Sequence, residues 1–283
     1  MPVLQLQLGS VTLDLLNPAT GVIANKVDLG YPVVREVKAS IPTRDGSYDT
    51  TSLIGDRVVT IDGTFLQSDD GTLTRQQGVD ALMPFLAPHV RPRLVVQVDT
   101  EPSRFVTLRA SAQTGPHISP TFTTFTASWV APDPIFYGLG QERIFVYPGT
   151  RKAGRTYPLA FPRQYAVAGV GAVGVAVNHG SYQTWPTFTI YGPCTDPVIQ
   201  YAPAPGYIAF KGLSVVSGDF VVVDTQGAST LYNGQASRSV YSLLDFTQTV
   251  WAPLQPGSTE LFFLPASSTP ATFLQVDWYD AYL

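Results

Sequence analysis

The chain has 283 residues, an apolar fraction of 45% and a formal net charge of −4. Its length exceeds the roughly 250 residues at which single hydrophobic cores stop growing, so two domains are predicted. The charge balance excludes a strongly basic nucleic-acid binder, and no polybasic run indicates binding to an anionic membrane. Charged residues make up only 13% of the chain. This low fraction predicts either that part of the surface is buried in an assembly or that uncharged Thr, Ser and Gln cover the surface.

Secretion and membrane insertion are not indicated by the sequence. Cys194 is the only cysteine, so an internal disulfide cannot form. The N-terminus MPVLQLQLGS has neither the basic stretch nor the long apolar run of a signal peptide. The apolar run at 166–177 is shorter than the about 20 residues that a membrane span needs, so a strand or a packed linker is predicted there.

The first elements in chain order are strands. In LQLQLGSVTLDLL (residues 4–16), apolar and polar residues alternate on both sides of Gly9-Ser10, which predicts a β-hairpin. A further strand is predicted over 57–65, and Asp62-Gly63 within it indicates a bulge or a close approach of another backbone.

One helix follows. Apolar residues recur at helical spacing from Val79 to Leu86, and Thr74 with Gln77 has the spacing of a capping box. Pro84 predicts the end of the helix near Met83. Strands are predicted next at 93–99, 104–112 and 121–130, and a strand-rich segment with one helix is typical of an α+β barrel or sandwich.

The second half reads as a β-sandwich. A turn-rich, basic stretch at 148–164 separates the halves, and beyond it strand patterns recur at the spacing of sandwich folds. Asn233-Gly234 predicts a hairpin. We therefore predict a first domain at 1–147, a connector at 148–165 and a sandwich domain at 166–283.

No pattern of catalytic or metal-binding residues is found. The three histidines, His89, His117 and His179, lack metal-ligand spacing, and Cys194 lies in a turn that favours a small buried apolar residue over a nucleophile. No phosphate loop, dinucleotide fingerprint or serine elbow occurs. The tryptophans lie within strand patterns, which favours core packing. We therefore expect no enzyme activity, no metal and no cofactor.

Several segments together resemble a known family. The strand-and-loop RDGSYDTTSLIGDRVVTIDGTF, the LMPFLAP helix end and WVAPDPIFYG are similar to the N-terminal domain of distal tail proteins of long-tailed bacteriophages. Later segments follow the order of the C-terminal galectin-like sandwich of phage minor tail proteins, among them GRTYPLAFP, VNHGSYQTWPTFTIYGP, LQPGSTELFF and VDWYDAYL.

The resemblance implies a mainly β virion protein with a tail-tube-like N-terminal domain and a galectin-like C-terminal sandwich. It implies a hexameric ring hub at the distal end of the tail. The implied partners are further copies of the chain, the tail tube protein and the tail-tip or baseplate hub protein, with the tape measure and receptor-binding proteins as further candidates. DNA is expected to pass through a neutral or acidic lumen without specific binding, and no membrane is involved.

The charged loop at 44–56 is the predicted contact site, either at the boundary between subunits or against the stacked tail-tube ring. A ring built by one repeated rotation has two different complementary edges, and mixed charges fix the register of such contacts. The predicted interface residues, with a solvated loop as the alternative, are Arg44, Asp45, Asp49, Asp56 and Arg57.

Two other functions stay open. The C-terminal sandwich could be a carbohydrate-binding adhesion module that recognises host surface glycans through Trp or Tyr. A glycosidase that uses a pair of acidic residues is the more distant alternative.

Overall fold

The computed structural model describes residues 2–36, 39–41, 45, 47–48, 52–68, 73–118, 123–149, 173–202 and 206–283. The chain divides into two compact units, Met1–Leu139 with Leu283, and Gly140–Tyr282. The sequence placed the domain boundary at 147/148, and most of the connector predicted at 148–165 lies outside the described residues. The predicted boundaries therefore stay a prediction.

The first unit consists mainly of short antiparallel strands. They are β1 Val3–Leu8, β2 Val11–Asp14, β3 Val22–Asp28, β4 Val34–Arg35, β5 Ala39–Ser40, β6 Ser47–Tyr48, β7 Leu53–Ile54, β8 Arg57–Phe65, β9 Arg93–Gln97, β10 Arg104–Thr107, β11 Arg109–Ile118, β12 Thr123–Ala131 and β13 Phe136–Val146. Helix α1 spans Arg75–Leu82, and short 3-10 helices span Pro18–Thr20 and Met83–Leu86. Residues of β13 from 140 onward belong to the second unit.

Two sheets organise the first unit. One has the order β2-β1-β9-β10-β13 and the other β11-β12-β8-β3. The predicted hairpin is confirmed, because Leu6 lies opposite Leu13 and Gly9 has the positive φ of a tight turn. Alternate residues of β8, Val59, Ile61 and Phe65, are buried as predicted.

Gly63 shows why the Asp62-Gly63 pair occurs within a strand. A Cβ at Gly63 would lie 2.5 Å from the Phe125 ring and 2.6 Å from the Ile23 carbonyl oxygen. The β3–β8 register also shifts between Ala24 and Lys26, opposite Gly63 and Asp62. Both the close approach and the irregularity predicted from the sequence are confirmed.

The helix begins and ends where the sequence predicts. The Thr74 side chain accepts from the Gln77 backbone N–H, and the Gln77 side chain accepts from the Thr74 N–H, which completes the capping box. After Leu82 the chain tightens into a 3-10 turn that contains Pro84. As a result Met83, expected on the apolar face, is exposed, and Phe85 is buried in its place.

One predicted strand proves to be two. The pattern at 104–112 divides at Leu108, since β10 pairs with β9 in one sheet and β11 pairs with β12 in the other. Leu108 is fully buried, and its N–H donates to the Pro92 carbonyl at 2.8 Å. Apolar residues keep alternating with other residues on both sides of Leu108. The sequence pattern therefore could not show that the chain passes from one sheet to the other at this residue.

The second unit contains strands and, among its described residues, no α-helix. Its further strands are β14 Gly174–Asn178, β15 Thr187–Tyr191, β16 Cys194–Thr195, β17 Val198–Ala202, β18 Tyr207–Ala209, β19 Ser214–Val215, β20 Phe220–Asp224, β21 Ser229–Tyr232, β22 Gly257–Phe263, β23 Ser267–Ser268 and β24 Phe273–Tyr282. They form the sheets β24-β15-β20-β21, with β13 beside β24, then β14-β22-β17-β18 and β19-β16-β23.

The core of the second unit confirms the expected role of the tryptophans only in part. Trp278 is buried in this core, as Trp129 is in the first unit, whereas Trp251 packs against the core from its border. The segment SVYSLLDF at 239–246 has the composition of a strand, but Tyr241–Leu243 within it forms a 3-10 turn. Asp245 stabilises the turn that follows by accepting from Thr247. The mainly β prediction is confirmed, and the galectin-like detail stays a prediction.

We predict that Gly63→Ala lowers the free energy of unfolding of the first unit by about 1–3 kcal/mol, because the added methyl group overpacks the Phe125 contact. Gly140→Ala is the control, since a Cβ there would meet no atom within 4 Å. Urea unfolding monitored by circular dichroism measures both. Equal stability of the two variants would contradict the close approach at Gly63.

Candidate assembly surfaces

Among the described residues, the structure contains no arrangement suited to catalysis by a metal or by Cys194. No group of three or more His, Cys, Asp or Glu could hold a metal ion in this part of the chain. Cys194 is 3% exposed, and burial raises the pKa of its thiol to about 11, which makes it a poor nucleophile. His179 Nδ1 lies 3.2 Å from an Asp280 carboxylate oxygen.

In the described ranges, no helix is long and apolar enough to cross a membrane.

An extended segment joins β3 to β8 in the first unit, and its described residues within 29–56 are called the arm below. Its described parts form two-stranded ladders, β4 with β7 and β5 with β6. A two-stranded ribbon has little stability of its own in water. The arm therefore needs support at its base or from a partner.

The described part of the arm presents apolar side chains to solvent. The exposed fractions are 93% for Tyr31, 55% for Val33, 58% for Val34 and 56% for Leu53. Single exposed apolar residues are ordinary, but a group of them on a narrow ribbon is typical of a surface that another molecule covers.

Charged residues lie beside these apolar groups. Arg35, Asp56 and Arg109 line a cavity of about 330 Å³ whose other walls include Ile54 and Val130. Both signs of charge are thus present at one groove. Such a groove can pair with a complementary edge and set its register.

The base of the arm is closely fitted. The N–H of Val33 donates to the Asp56 carbonyl at 3.1 Å, and the N–H of Gly55 donates to the Val33 carbonyl at 2.6 Å. Gly30 has a φ of +59°, and a Cβ there would collide with the Val58 carbonyl oxygen. Only glycine fits where the arm leaves the sheet.

Arg57 lies inside this base. Its residue exposure is 4%, and Nε donates to the Pro134 carbonyl at 2.8 Å. Nη1 donates to the carbonyls of Gly30 at 2.7 Å and Leu29 at 3.4 Å. The guanidinium also lies 4.7 Å from the centre of the Phe136 ring. Burial lowers the pKa of Arg57, while the nearby Tyr31 phenol acts in the opposite direction.

The five predicted interface residues thus differ in their positions. Arg44 and Asp49 lie outside the described residues. Asp45 and Asp56 are exposed, and Arg57 is buried with partners in its own unit. The assignment of the loop to an interface stays a prediction.

The second unit carries a row of aromatic side chains that the sequence did not reveal, called the aromatic strip below. Its members lie on the sheet face turned away from the core and alternate with buried residues. They are Phe145, Tyr147, Phe273, Tyr191 and Phe220. Phe145 and Tyr147 are 50% and 53% exposed. The sequence contains one indication of the strip, the stretch RIFVYP at 143–148. Its apolar residues are consecutive, so they would lie on both faces of a strand.

The ring geometry limits what the aromatic strip can bind. Tyr191 and Phe273 stack at 4.5 Å with an angle of 20° between the rings, so each ring covers a face of the other. Phe145 meets Phe273 nearly edge-on, at 78°. Edges and partial faces suit protein contacts, where aromatic residues are enriched. Sugar stacking needs a free ring face, and Tyr191 and Phe273 each have one face covered by the other ring.

Comparison with known proteins gives a consistent result. Residues 179–282 match the family described as siphovirus-type tail component, C-terminal domain. No curated protein sequence matches the chain. The crystal structure of the Dit protein of phage SPP1, described as a paradigm of the hub adsorption apparatus in phages that infect Gram-positive hosts, is similar over 99% of this chain and 100% of its own. The TM-score is 0.65 and the identity is 16%.

A chain of the phage P2 baseplate in its activated conformation with Ca is similar over 98% of both chains, with 11% identity and a TM-score of 0.49. The SPP1 comparison shows the fold along the whole chain, and the family match covers most of the second unit. The chain therefore has the fold of SPP1 Dit, and its residues 179–282 match the siphovirus-type tail component domain.

Proposed function

We propose that this chain forms a hexameric ring hub at the distal end of a phage tail, where it joins the tail tube to the tail tip or baseplate and to the receptor-binding apparatus. The observation that carries the proposal is the fold shared with SPP1 Dit over the whole chain. The role is structural, and no reaction is assigned to the chain.

The surfaces of the first unit suit self-assembly. A ring contact joins two different surfaces of neighbouring copies. The arm offers exposed apolar side chains, with Leu53 and Val34 among them, beside the charged groove of Arg35, Asp56 and Arg109. Apolar burial stabilises such a contact and the charges select its register.

The remaining partners follow from the position at the tail end. The first unit contacts the tail tube protein above and the tail-tip or baseplate hub protein below. The second unit offers the aromatic strip to outer proteins, with receptor-binding proteins as candidates. We expect DNA to pass through a neutral or acidic lumen, because basic side chains there would hold the phosphates.

Particle images of the purified protein, or of the tail tip, test the ring directly. We expect ring-shaped particles with hexameric symmetry. A monomer at every protein concentration, absent from purified virus particles, would rule the proposal out.

The charged residues of the arm provide a sharper test. We predict that Asp45→Lys combined with Asp56→Lys weakens self-association about tenfold or more, because reversed charges oppose the complementary edge. Both residues are exposed, so folding should be unchanged. Analytical ultracentrifugation over a concentration series measures the effect.

A control with the same change in net charge is Asp80→Lys combined with Glu260→Lys, at exposed positions outside the arm. We expect it to assemble like the unaltered protein. Equal assembly of the arm variant and the unaltered protein would show that the loop is solvated and not part of an interface.

Carbohydrate binding by the second unit is the second candidate, and the exposed aromatic strip is the observation that favours it. We expect a glycan array to show no binding to the full chain, since the stacked rings of Tyr191 and Phe273 cover one another's faces. Binding that disappears in the variants Phe145→Ala and Tyr147→Ala, and that persists in Val250→Ala at another exposed site, would establish this second function instead.

A further inference from the structure

Arg57 occupies a gap between two hydrogen-bonded ladders. The β3–β8 ladder ends with the pair Asp28 and Thr60, and the ladder of the arm begins with the bond from Val33 to the Asp56 carbonyl. Between them the chain departs from the sheet at Leu29 and Gly30. The Arg57 guanidinium donates to both of these carbonyls, so it connects the start of the arm to the residue that directly follows its end, between the two ladders.

The same guanidinium connects the arm to the body of the unit. Nε donates to the Pro134 carbonyl, and the Phe136 ring lies against the cation. Both residues follow β12 in the chain, outside the arm. The base of the arm is therefore fixed to a second, independent segment of the first unit.

We infer that Arg57 is a positioning residue, whose buried guanidinium sets the direction in which the arm leaves the first unit and so presents the arm to a second copy of this chain. The assembly part of this inference rests on the proposed function. With 4% exposure, Arg57 itself offers almost no surface to a neighbour. Its contribution to assembly is made through the arm.

Arginine suits this role better than lysine. The planar guanidinium presents N–H groups in a rigid fork, which serves carbonyls on different sides while its face lies on an aromatic ring. A lysine ammonium is a single charged point and cannot reproduce the directions from Nε and Nη1. Lysine should therefore retain only part of the connection.

The test is hydrogen exchange of the full chain, read at single amides. We expect Arg57→Met to accelerate exchange at Val33 and Gly55 by about tenfold or more, because bonds to a charged donor each stabilise the native arrangement by at least such a factor. The amide of Ile61, in the centre of β8, serves as the internal reference and should keep its protection. Arg57→Lys should give a smaller increase at the same two amides.

Arg93→Met is the matched control. Arg93 also lies over an aromatic ring, 4.5 Å from the centre of Phe105, but it is exposed and belongs to β9, outside the arm. Removing it should leave Val33 and Gly55 unchanged.

Two results would overturn the inference. If Val33 and Gly55 exchange at the unaltered rate in both Arg57 variants, the guanidinium does not hold the arm. If Ile61 accelerates as much as they do, Arg57 serves general stability. Should Arg57→Met fail to fold, the Arg57→Lys measurement decides by the same criteria.

Self-association of the Arg57 variants then tests the assembly part. We expect a loss of about tenfold or more in Arg57→Lys or Arg57→Met, with Arg93→Met unchanged. If an Arg57 variant exchanges faster at Val33 and Gly55 but self-associates as strongly as the unaltered protein, the position of the arm does not affect ring formation. If the unaltered protein forms no ring, the proposed function fails, while the exchange data still decide whether Arg57 positions the arm.

Discussion

The connection between β3 and β8 is the constraint on which the assembly surface of the first unit depends. These neighbouring strands pair directly, although the whole arm separates them in the chain. A long excursion between paired strands is tolerated at a modest entropic cost. Its direction, however, must be set by contacts at the base, and the close fit at Gly30 with the buried Arg57 supplies them.

A buried cation at this point is costly unless its hydrogen bonds are well made. Arg57 meets that condition at Nε and Nη1, with carbonyl acceptors from both the arm and the segment after β12, while Nη2 is buried without a hydrogen-bond partner among the described residues. These hydrogen bonds fix the orientation of the segments that they join, whereas an apolar residue of the same volume would only fill the space between them. Direction matters for a ribbon whose exposed apolar side chains have to meet a partner in one register.

The second unit solves a different physical problem. One face of its sheet forms the core, and the other presents the aromatic strip, in which Tyr191 lies opposite both Phe273 and Phe220. Cross-strand aromatic pairs stabilise a sheet in their own right. The two most exposed members, Phe145 and Tyr147, extend the row beyond those pairs, and they are the part that a partner can cover.

Features that depend on near neighbours in the chain could be predicted from the sequence. The hairpin around Gly9-Ser10, the capping box at Thr74 and the end of the helix near Pro84 are examples. Features that depend on remote residues could not. Leu108 changes sheets without any break in alternation, and the 3-10 turn at Tyr241 replaces a strand because local side-chain bonds compete with the ladder.

By itself, the amino-acid sequence determined the mainly β character, the single helix and the apolar faces of the strands, since periodicity and capping act over a few residues. It also identified a charged loop, and it grouped Arg57 with the exposed acids there. Only the tertiary structure separated them. Arg57 is buried because it meets Pro134, 77 residues further along the chain, and no local pattern reports a contact made over that distance.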